Sequence, residues 1–141
     1  MDLDLYSREA DFSTPEGVAA LEIYSQDLFL SKSLTEIEDE IEGLSTFVYS
    51  SDDRVIGVAS IDFSEDYMGK IVLEYMAVDK EKQHRGFGGA ILDIIKSESR
   101  EVSGSHVKYL YVTVQSDTAD FYVENGAIED EDGSVYFELD D

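Results

Sequence analysis

The chain has 141 residues, 43% of them hydrophobic, with no cysteine and a formal net charge of −23. This length predicts one domain over residues 1–141, and the apolar content is too high for a disordered protein. The excess of carboxylates argues against nucleic-acid or membrane partners, and the lack of cysteine excludes disulfides, thiolate metal sites and cysteine nucleophiles.

The N-terminal third of the sequence predicts a strand followed by two helices. Residues 3–8 alternate in polarity as a strand does, and Ser13-Thr14-Pro15-Glu16 is a helix start with proline in the first turn. A second helix is predicted over residues 33–43, with Ile37 and Ile41 on its buried face and its carboxylates in solvent.

The middle of the chain predicts three strands and a long helix. Residues 47–50 and 54–63 form a hairpin, and the near-continuous apolar run of residues 70–78 indicates a central strand covered on both faces. Residues 88–102 predict an amphipathic helix. Its inner stripe consists of Ile91, Ile94, Ile95 and Val102.

The C-terminal part predicts a strand over residues 107–115, a short helix over 117–125 and a hairpin over 128–139 that turns at Asp132-Gly133. A calcium loop at this turn does not fit, because the EF-hand register would place Ile128 and Leu139 where carboxylates are required. The elements together predict a mixed sheet with about four helices.

A glycine-rich, basic segment joins the predicted strand 70–78 to the helix that follows it. Its glycines are Gly86, Gly88 and Gly89, and its basic residues are Lys80, Lys82 and Arg85. Glycine lets backbone amides approach a ligand closely, and the first amides of a helix lack hydrogen-bond partners. In an otherwise acidic chain, these features indicate a site for a phosphate group.

Two well-known phosphate loops do not fit this segment. A dinucleotide fingerprint needs a further glycine at Ile91, and a P-loop needs Gly-Lys-Ser/Thr, which the sequence lacks. A glycine turn that only joins a strand to a helix is the alternative interpretation.

The segment Gln83-x-x-Gly86-x-Gly88, which follows a strand ending in Met76-Ala77-Val78, resembles the signature of the GNAT superfamily of N-acetyltransferases. Farther along, Phe121-Tyr122-Val-Glu-Asn-Gly-Ala resembles the family's Phe-Tyr-x-x-x-Gly-Phe segment, with alanine in the last place. The resemblance covers nearly the whole chain and implies an α/β (α+β) fold. In that fold, a mixed, mostly antiparallel sheet of six to seven strands carries about four helices.

The resemblance also implies an acetyl-coenzyme A-dependent N-acetyltransferase without a metal. Acetyl would pass directly from the thioester to a primary amine in a ternary complex. The cofactor-binding residues implied by the family are Met76, Ala77, Val78, Gln83, His84, Arg85, Gly86, Phe87, Gly88 and Gly89. Amides of the loop would bind the pyrophosphate, strand residues 76–78 would hold the pantetheine arm, and the Val78 amide would donate to the thioester carbonyl.

Two residues are candidates for the catalytic groups of such an enzyme. Tyr122 is expected to be the general acid that protonates the departing thiolate; a core tyrosine is the alternative. Glu74 is expected to be the base for the incoming ammonium, because strand alternation aims it the same way as Met76 and Val78. Its alternative is a sheet carboxylate paired with a lysine such as Lys70.

The acceptor is expected to be a cationic amine, because the regions that usually frame the acceptor pocket in this family are strongly acidic here. A polyamine, an aminoglycoside or an amine of a basic protein fits that description. The sequence further predicts a cytoplasmic monomer or homodimer. An acetyl-coenzyme A sensor without catalysis and an acidic protein that mimics nucleic acid are the alternative functions.

Overall fold

The described residues form seven strands and four α-helices. The computed structural model describes residues 5–26, 28–104, 106–114 and 119–139. The strands are β1 (Tyr6–Glu9), β2 (Ser45–Ser51), β3 (Arg54–Asp62), β4 (Lys70–Val78), β5 (Tyr109–Val112), β6 (Ile128–Glu129) and β7 (Val135–Glu138). The helices are α1 (Pro15–Ser25), α2 (Leu34–Glu40), α3 (Phe87–Ser103) and α4 (Ala119–Glu124), with short 3-10 turns at Asp66–Met68 and Lys80–Lys82. None of these helices is long and apolar enough to cross a membrane.

The strands pair as one sheet in the order β1-β2-β3-β4-β5-β7-β6. Only β4 and β5 run parallel, and all other neighbours are antiparallel. Helices α1 and α2 pack on one face, while α3 and α4 pack on the other. The predicted mixed, mostly antiparallel sheet and the predicted order of elements are confirmed.

Local capping signals place the first two helices. The Gly17 N–H donates to Thr14 Oγ1 (3.1 Å) at the start of α1, and Ser33 and Glu36 form a capping box at the start of α2. Helix α2 ends at Glu40 rather than at the predicted residue 43. The reason is that Ile41 already leaves helical geometry as its side chain enters the core.

Helix α3 lies across the sheet, with Ile91, Leu92 and Ile95 fully buried. Val102 was predicted to continue this stripe, and that prediction is wrong, because Val102 is 62% exposed. By residue 98 the helix has reached edge strand β1, where Ser7 Oγ donates to Glu98 Oε2 (2.7 Å). In the last turn, Ser99 is the buried residue and Ser103 Oγ donates to Asp66 Oδ2 (3.0 Å), so residue 102 faces solvent.

The terminal elements follow the prediction with shorter bounds. Strand β1 begins at Tyr6, and residues 3 and 4 of the predicted strand lie outside the described residues. Helix α4 begins at Ala119, with residues 117 and 118 also outside them. The C-terminal hairpin is confirmed, since the Gly133 N–H donates to Asp130 O (3.0 Å) and the Asp130 N–H donates to Ser134 O (2.8 Å).

Three buried tyrosines predict a loss of stability in alkaline solution. Burial raises the pKa of the Tyr24 and Tyr49 phenols well above 10.0 and that of Tyr122 to about 12. Above pH 10 the unfolded chain releases these protons while the folded chain keeps them. The free energy of unfolding should therefore fall by up to about 1.4 kcal/mol per tyrosine and pH unit, which urea titrations between pH 9 and 12 would measure.

Tyr49→Phe is the variant that checks this explanation. The Tyr49 hydroxyl is buried without a hydrogen-bond partner, so its removal should cost no stability at pH 7. The alkaline slope should become shallower, because the Tyr49 phenol no longer titrates. An unchanged slope would assign the alkaline loss to other groups.

Candidate functional site

Strand β5 stops pairing with β4 partway along β4, and the edge of β4 beyond that point, unpaired on the β5 side within the described residues, is termed the cleft. The two strands pair from Lys70↔Tyr109 to Leu73↔Val112, and the Thr113 N–H adds one more hydrogen bond to Leu73 O (2.9 Å). Strand β5 is thus shorter than the predicted residues 107–115, and Gln115 lies outside the described residues. Beyond Leu73, β4 continues for five residues, of which Glu74 is unpaired and residues 75–78 pair, in the described part of the chain, only with β3.

A β-bulge in β4 marks the inner end of this cleft. On the β3 side, Ser60 pairs with Tyr75 but Ile61 pairs with Leu73, so Glu74 is an extra residue without a partner. Leu73 and Met76 consequently pack on the same face of the sheet. The bulge interrupts the alternation of side chains between the two faces of the sheet at Glu74. The sequence-based argument that Glu74 points to the same face as Met76 and Val78 therefore does not hold.

The backbone of β4 presents hydrogen-bonding groups to the cleft. The Asp79 N–H donates to Ile56 O of β3 (2.7 Å), so the groups of Met76 and Val78, which alternate with it, point the other way. Gln83 Nε2 donates to Val78 O (3.1 Å). This contact uses only the carbonyl oxygen of Val78, so the Val78 N–H remains available to a ligand. Ala77 lies between them, its backbone directed to β3 and its side chain against the α1–α2 cluster.

The cleft leads to the N-terminus of α3. Gly86, in the left-handed region at φ +85, is the residue before the helix, and the amides of Phe87, Gly88 and Gly89 have no partner within it. His84 is also left-handed, at φ +65. Such an array of amides fits a phosphate group.

Three basic residues precede these amides in the sequence. Lys80 and Arg85 are exposed and Lys82 is half-buried. None of the three forms a salt bridge with another described residue, so their charges remain available to an anion. The amides and the cations together fit a pyrophosphate, while the edge of β4 fits an extended amide-containing arm.

Gln26, which the sequence analysis did not single out, ties this loop to α1. Its Oε1 accepts the Lys80 N–H (2.8 Å), and its Nε2 donates to Asp79 Oδ1 (3.4 Å). The residue follows the last turn of α1 and carries no sequence signal of its own. The contact fixes the loop against the helix on the opposite face of the sheet.

Gly88 and Gly89 are also needed for packing between α3 and α4. A Cβ at Gly88 would lie 2.8 Å from Cζ of Phe121, and one at Gly89 would lie 2.7 Å from Oδ1 of Asn125. Asn125 Nδ2 donates to Phe121 O (2.8 Å), which holds the end of α4 in place. The glycine-rich segment and the Phe121-Tyr122 segment are therefore in contact. Gly88 and Gly89 are needed for this packing as well as for the binding of a ligand.

Gly88→Ala should accordingly destabilise the protein by about 1–2 kcal/mol, because overpacking against Phe121 outweighs the better helix propensity of alanine. Adding Phe121→Leu should recover part of the loss. Urea titrations of both single variants and the double variant would measure the coupling. Additive effects would show that the two residues do not share a packing contact.

Glu74 contacts Thr113 at the inner end of the cleft. Thr113 Oγ1 donates a short hydrogen bond to Glu74 Oε1. The alternative partner Lys70 instead lies 3.6 Å from Glu65 Oε2. Glu74 is half-buried, so its carboxylate is held beside the bulge with one oxygen already hydrogen-bonded.

Tyr122 lies in α4, only 6% exposed, against the core cluster that Met76 and Val78 also contact. Its burial, which raises the pKa to about 12, keeps the phenol protonated throughout the physiological range. Burial also raises the pKa of Tyr24, whose hydroxyl donates to Tyr75 O (3.2 Å) on β4.

In the described residues, no three His, Asp or Glu side chains converge in a way that could hold a metal ion. The edge of β4 thus offers backbone amides and the carboxylate of Glu74, while the phenol of Tyr122 lies in the core cluster against which Met76 and Val78 also pack. This combination can orient a carbonyl compound and move protons at its two ends.

Residues 42–126 match the sequence model of the acetyltransferase (GNAT) domain. The fold is similar to that of the ribosomal-protein-S18-alanine N-acetyltransferase from Escherichia coli, with 16% identity, a TM-score of 0.71, and coverage of 98% of this chain and 96% of that one. Tetrahymena GCN5 is similar at 15% identity and TM-score 0.71, with 99% and 97% covered. A chimera of spermidine N-acetyltransferase SpeG from Vibrio cholerae and hSSAT reaches TM-score 0.74 at 13% identity, with 96% and 95% covered. No curated protein sequence matches the chain.

Proposed function

Because the chain belongs to the GNAT family of acetyltransferases, we propose that it transfers acetyl from acetyl-coenzyme A to a primary amine of a cationic acceptor. The observation that carries this proposal is the cleft between β4 and β5. It runs from the backbone groups of Met76 and Val78 to the unpaired amides at the start of α3.

Acetyl-coenzyme A supplies the thioester and, in this proposal, binds along the cleft with its pyrophosphate at residues 86–89. Gln83 orders the turn by its hydrogen bond to Val78 O, and the Val78 N–H donates to the thioester carbonyl. Removing a donor of this kind costs about 3 kcal/mol in comparable sites. Ala77 borders the cleft, while His84, Arg85 and Phe87 complete the loop.

Direct transfer to the amine needs two proton movements. Glu74 accepts a proton from the incoming ammonium, and the neutral nitrogen then forms a bond to the acetyl carbon as the carbon–sulfur bond breaks. Tyr122 donates its proton to the leaving sulfur and regains one from the new amide nitrogen. Burial beside Tyr122 raises the pKa of the coenzyme thiol as well, so the phenol can still donate its proton to the departing thiolate.

A cationic acceptor is favoured by the carboxylates on both sides of the site. Helix α2 exposes Glu36, Glu38, Asp39 and Glu40, and Glu42 is exposed two residues beyond its end. No lysine or arginine occurs from residue 116 to the end of the chain. Negative potential from both regions would concentrate amines that carry positive charge.

A thiol-release screen tests this function. Polyamines, aminoglycosides, amino acids and basic peptides would each be incubated with acetyl-coenzyme A, and acetylated products identified by mass spectrometry. Thiol release with a cationic amine supports the proposal, and Glu74→Gln should slow it while the exposed Glu101→Gln on α3 should not. Tight coenzyme binding without thiol release from any amine would point to the sensor instead.

A further inference from the structure

The face of the sheet that carries α1 and α2 also carries three clustered tyrosines. This tyrosine face consists of Tyr109 and Tyr111 on β5 and Tyr136 on β7. Leu110 and Phe137, which alternate with them, belong to the cluster under α3, so the tyrosines point to the other side. The ring centroid of Tyr136 lies 5.8 Å from that of Tyr109 and 5.5 Å from that of Tyr111. Tyr109 is 43% exposed.

The tyrosine face already holds an ammonium group, that of Lys70. Its Nζ lies 4.9 Å from the ring centroid of Tyr111 and 3.6 Å from Glu65 Oε2. An aromatic face attracts an ammonium through the ring quadrupole, and a nearby carboxylate adds to that attraction. Asp130 and Glu138 contribute further negative potential at Tyr136. The surface thus has the chemistry of an alkylammonium site, and Lys70 is an internal example of its ligand.

The tyrosine face is continuous with the proposed catalytic carboxylate. Along β5, Tyr109, Tyr111 and Thr113 alternate with the buried Leu110 and Val112, so their side chains share one face. Thr113 donates to Glu74. Residues two apart on a strand are about 7 Å apart, a distance similar to the reach of a butylene linker between two nitrogens.

We propose that the tyrosine face binds the non-reacting ammonium group of a linear polyamine whose reacting amine lies at Glu74. Lys70 occupies the face when no acceptor is bound and is displaced by it. This inference rests on the proposed function and specifies the acceptor class of that same site.

The size of the surface favours a polyamine over a protein. A stable protein interface buries about 800 Å² on each partner. The tyrosine face comprises three side chains, two of them half-buried, and it matches an alkylammonium chain rather than a folded partner.

The test compares kcat/KM for spermidine with kcat/KM for propylamine, which has no second nitrogen. Tyr111→Leu keeps apolar bulk but removes the ring, and should lower the spermidine-to-propylamine ratio about tenfold. Lys70→Gln removes the internal competitor and should raise the same ratio severalfold. Opposite effects from two neighbouring residues would not follow from a purely structural role.

Lys96→Gln is the matched control, because it makes the same change in net charge. Lys96 Nζ lies 4.8 Å from the ring centroid of Phe137, under α3 on the other side of the sheet. The ratio should stay at the wild-type value. An equal rise in both lysine variants would assign the effect to net charge and overturn the proposal.

Further outcomes would also overturn it. An unchanged ratio in Tyr111→Leu would remove the tyrosine face from acceptor binding, and dependence on Tyr111 for a lysine-rich peptide alone would identify a protein ligand. If the wild-type protein released no thiol with any amine, the proposed function would fail separately. Calorimetry with spermidine would then still test the face, because equal affinity in wild type and Tyr111→Leu would contradict it.

Discussion

Replacing Gly86 with glutamate is expected to lower the affinity for acetyl-coenzyme A by about 100-fold or more, as measured by calorimetry. Gly86 has φ +85 and directly precedes the unpaired amides of α3. A glutamate there puts a carboxylate where the pyrophosphate is proposed to bind. The left-handed backbone adds a strain of about 1–2 kcal/mol, which is a cost to folding rather than to binding.

Gly43→Glu separates the loss of affinity for the coenzyme from the cost to folding. Gly43 has φ +88, is exposed, and a Cβ there would meet no atom within 4 Å. This variant makes the same charge change with the same backbone strain, away from the cleft. It should lose similar stability and keep wild-type affinity for the coenzyme. Equal affinity in both folded variants would remove residues 86–89 from the phosphate site.

Tyr122→Phe is expected to lower kcat about 100-fold while the dissociation constant for acetyl-coenzyme A changes less than about threefold. The phenol is the proposed proton donor to the leaving sulfur, and phenylalanine keeps its buried packing. Because burial raises the pKa of Tyr122 to about 12, the phenol should not limit the rate by ionising at any pH below about 11.

Tyr49→Phe is the control for this substitution. It removes the same hydroxyl from another buried tyrosine on the same side of the sheet, and its rate should equal that of the wild type. Stopped-flow measurement of thiol release would compare the variants. A wild-type kcat in Tyr122→Phe would assign protonation of the sulfur to water.

Strand β4 illustrates how much of the fold the sequence can predict. Its observed bounds, Lys70–Val78, are those predicted, because Gly69 at φ +81 precedes the apolar run and Asp79 turns the chain after it. The start of α3 could be predicted for the same reason, since Gly86 is a local signal. Such elements depend on neighbours in the sequence, and their patterns are visible there.

Features that depend on distant parts of the chain could not be predicted. The bulge at Glu74 arises from the pairing of β4 with β3 on one side and its divergence from β5 on the other. Thr113 and Gln26 reach their partners across separations of 39 and 54 residues. Nothing in their own sequence neighbourhoods indicates these contacts, whereas Tyr122 is proposed from a second local motif.

The contacts of Gly88 and Gly89 with α4 bear on how such a site can be lost during evolution. Because a side chain at either position would collide with Phe121 or Asn125, both glycines would be retained in a descendant that no longer bound a coenzyme. Gln83 instead donates its side-chain hydrogen bond to Val78 O within the proposed ligand site, so packing against α4 would not retain it. A duplicated copy that kept the glycine pair but lost Gln83 would therefore keep the fold without the coenzyme site.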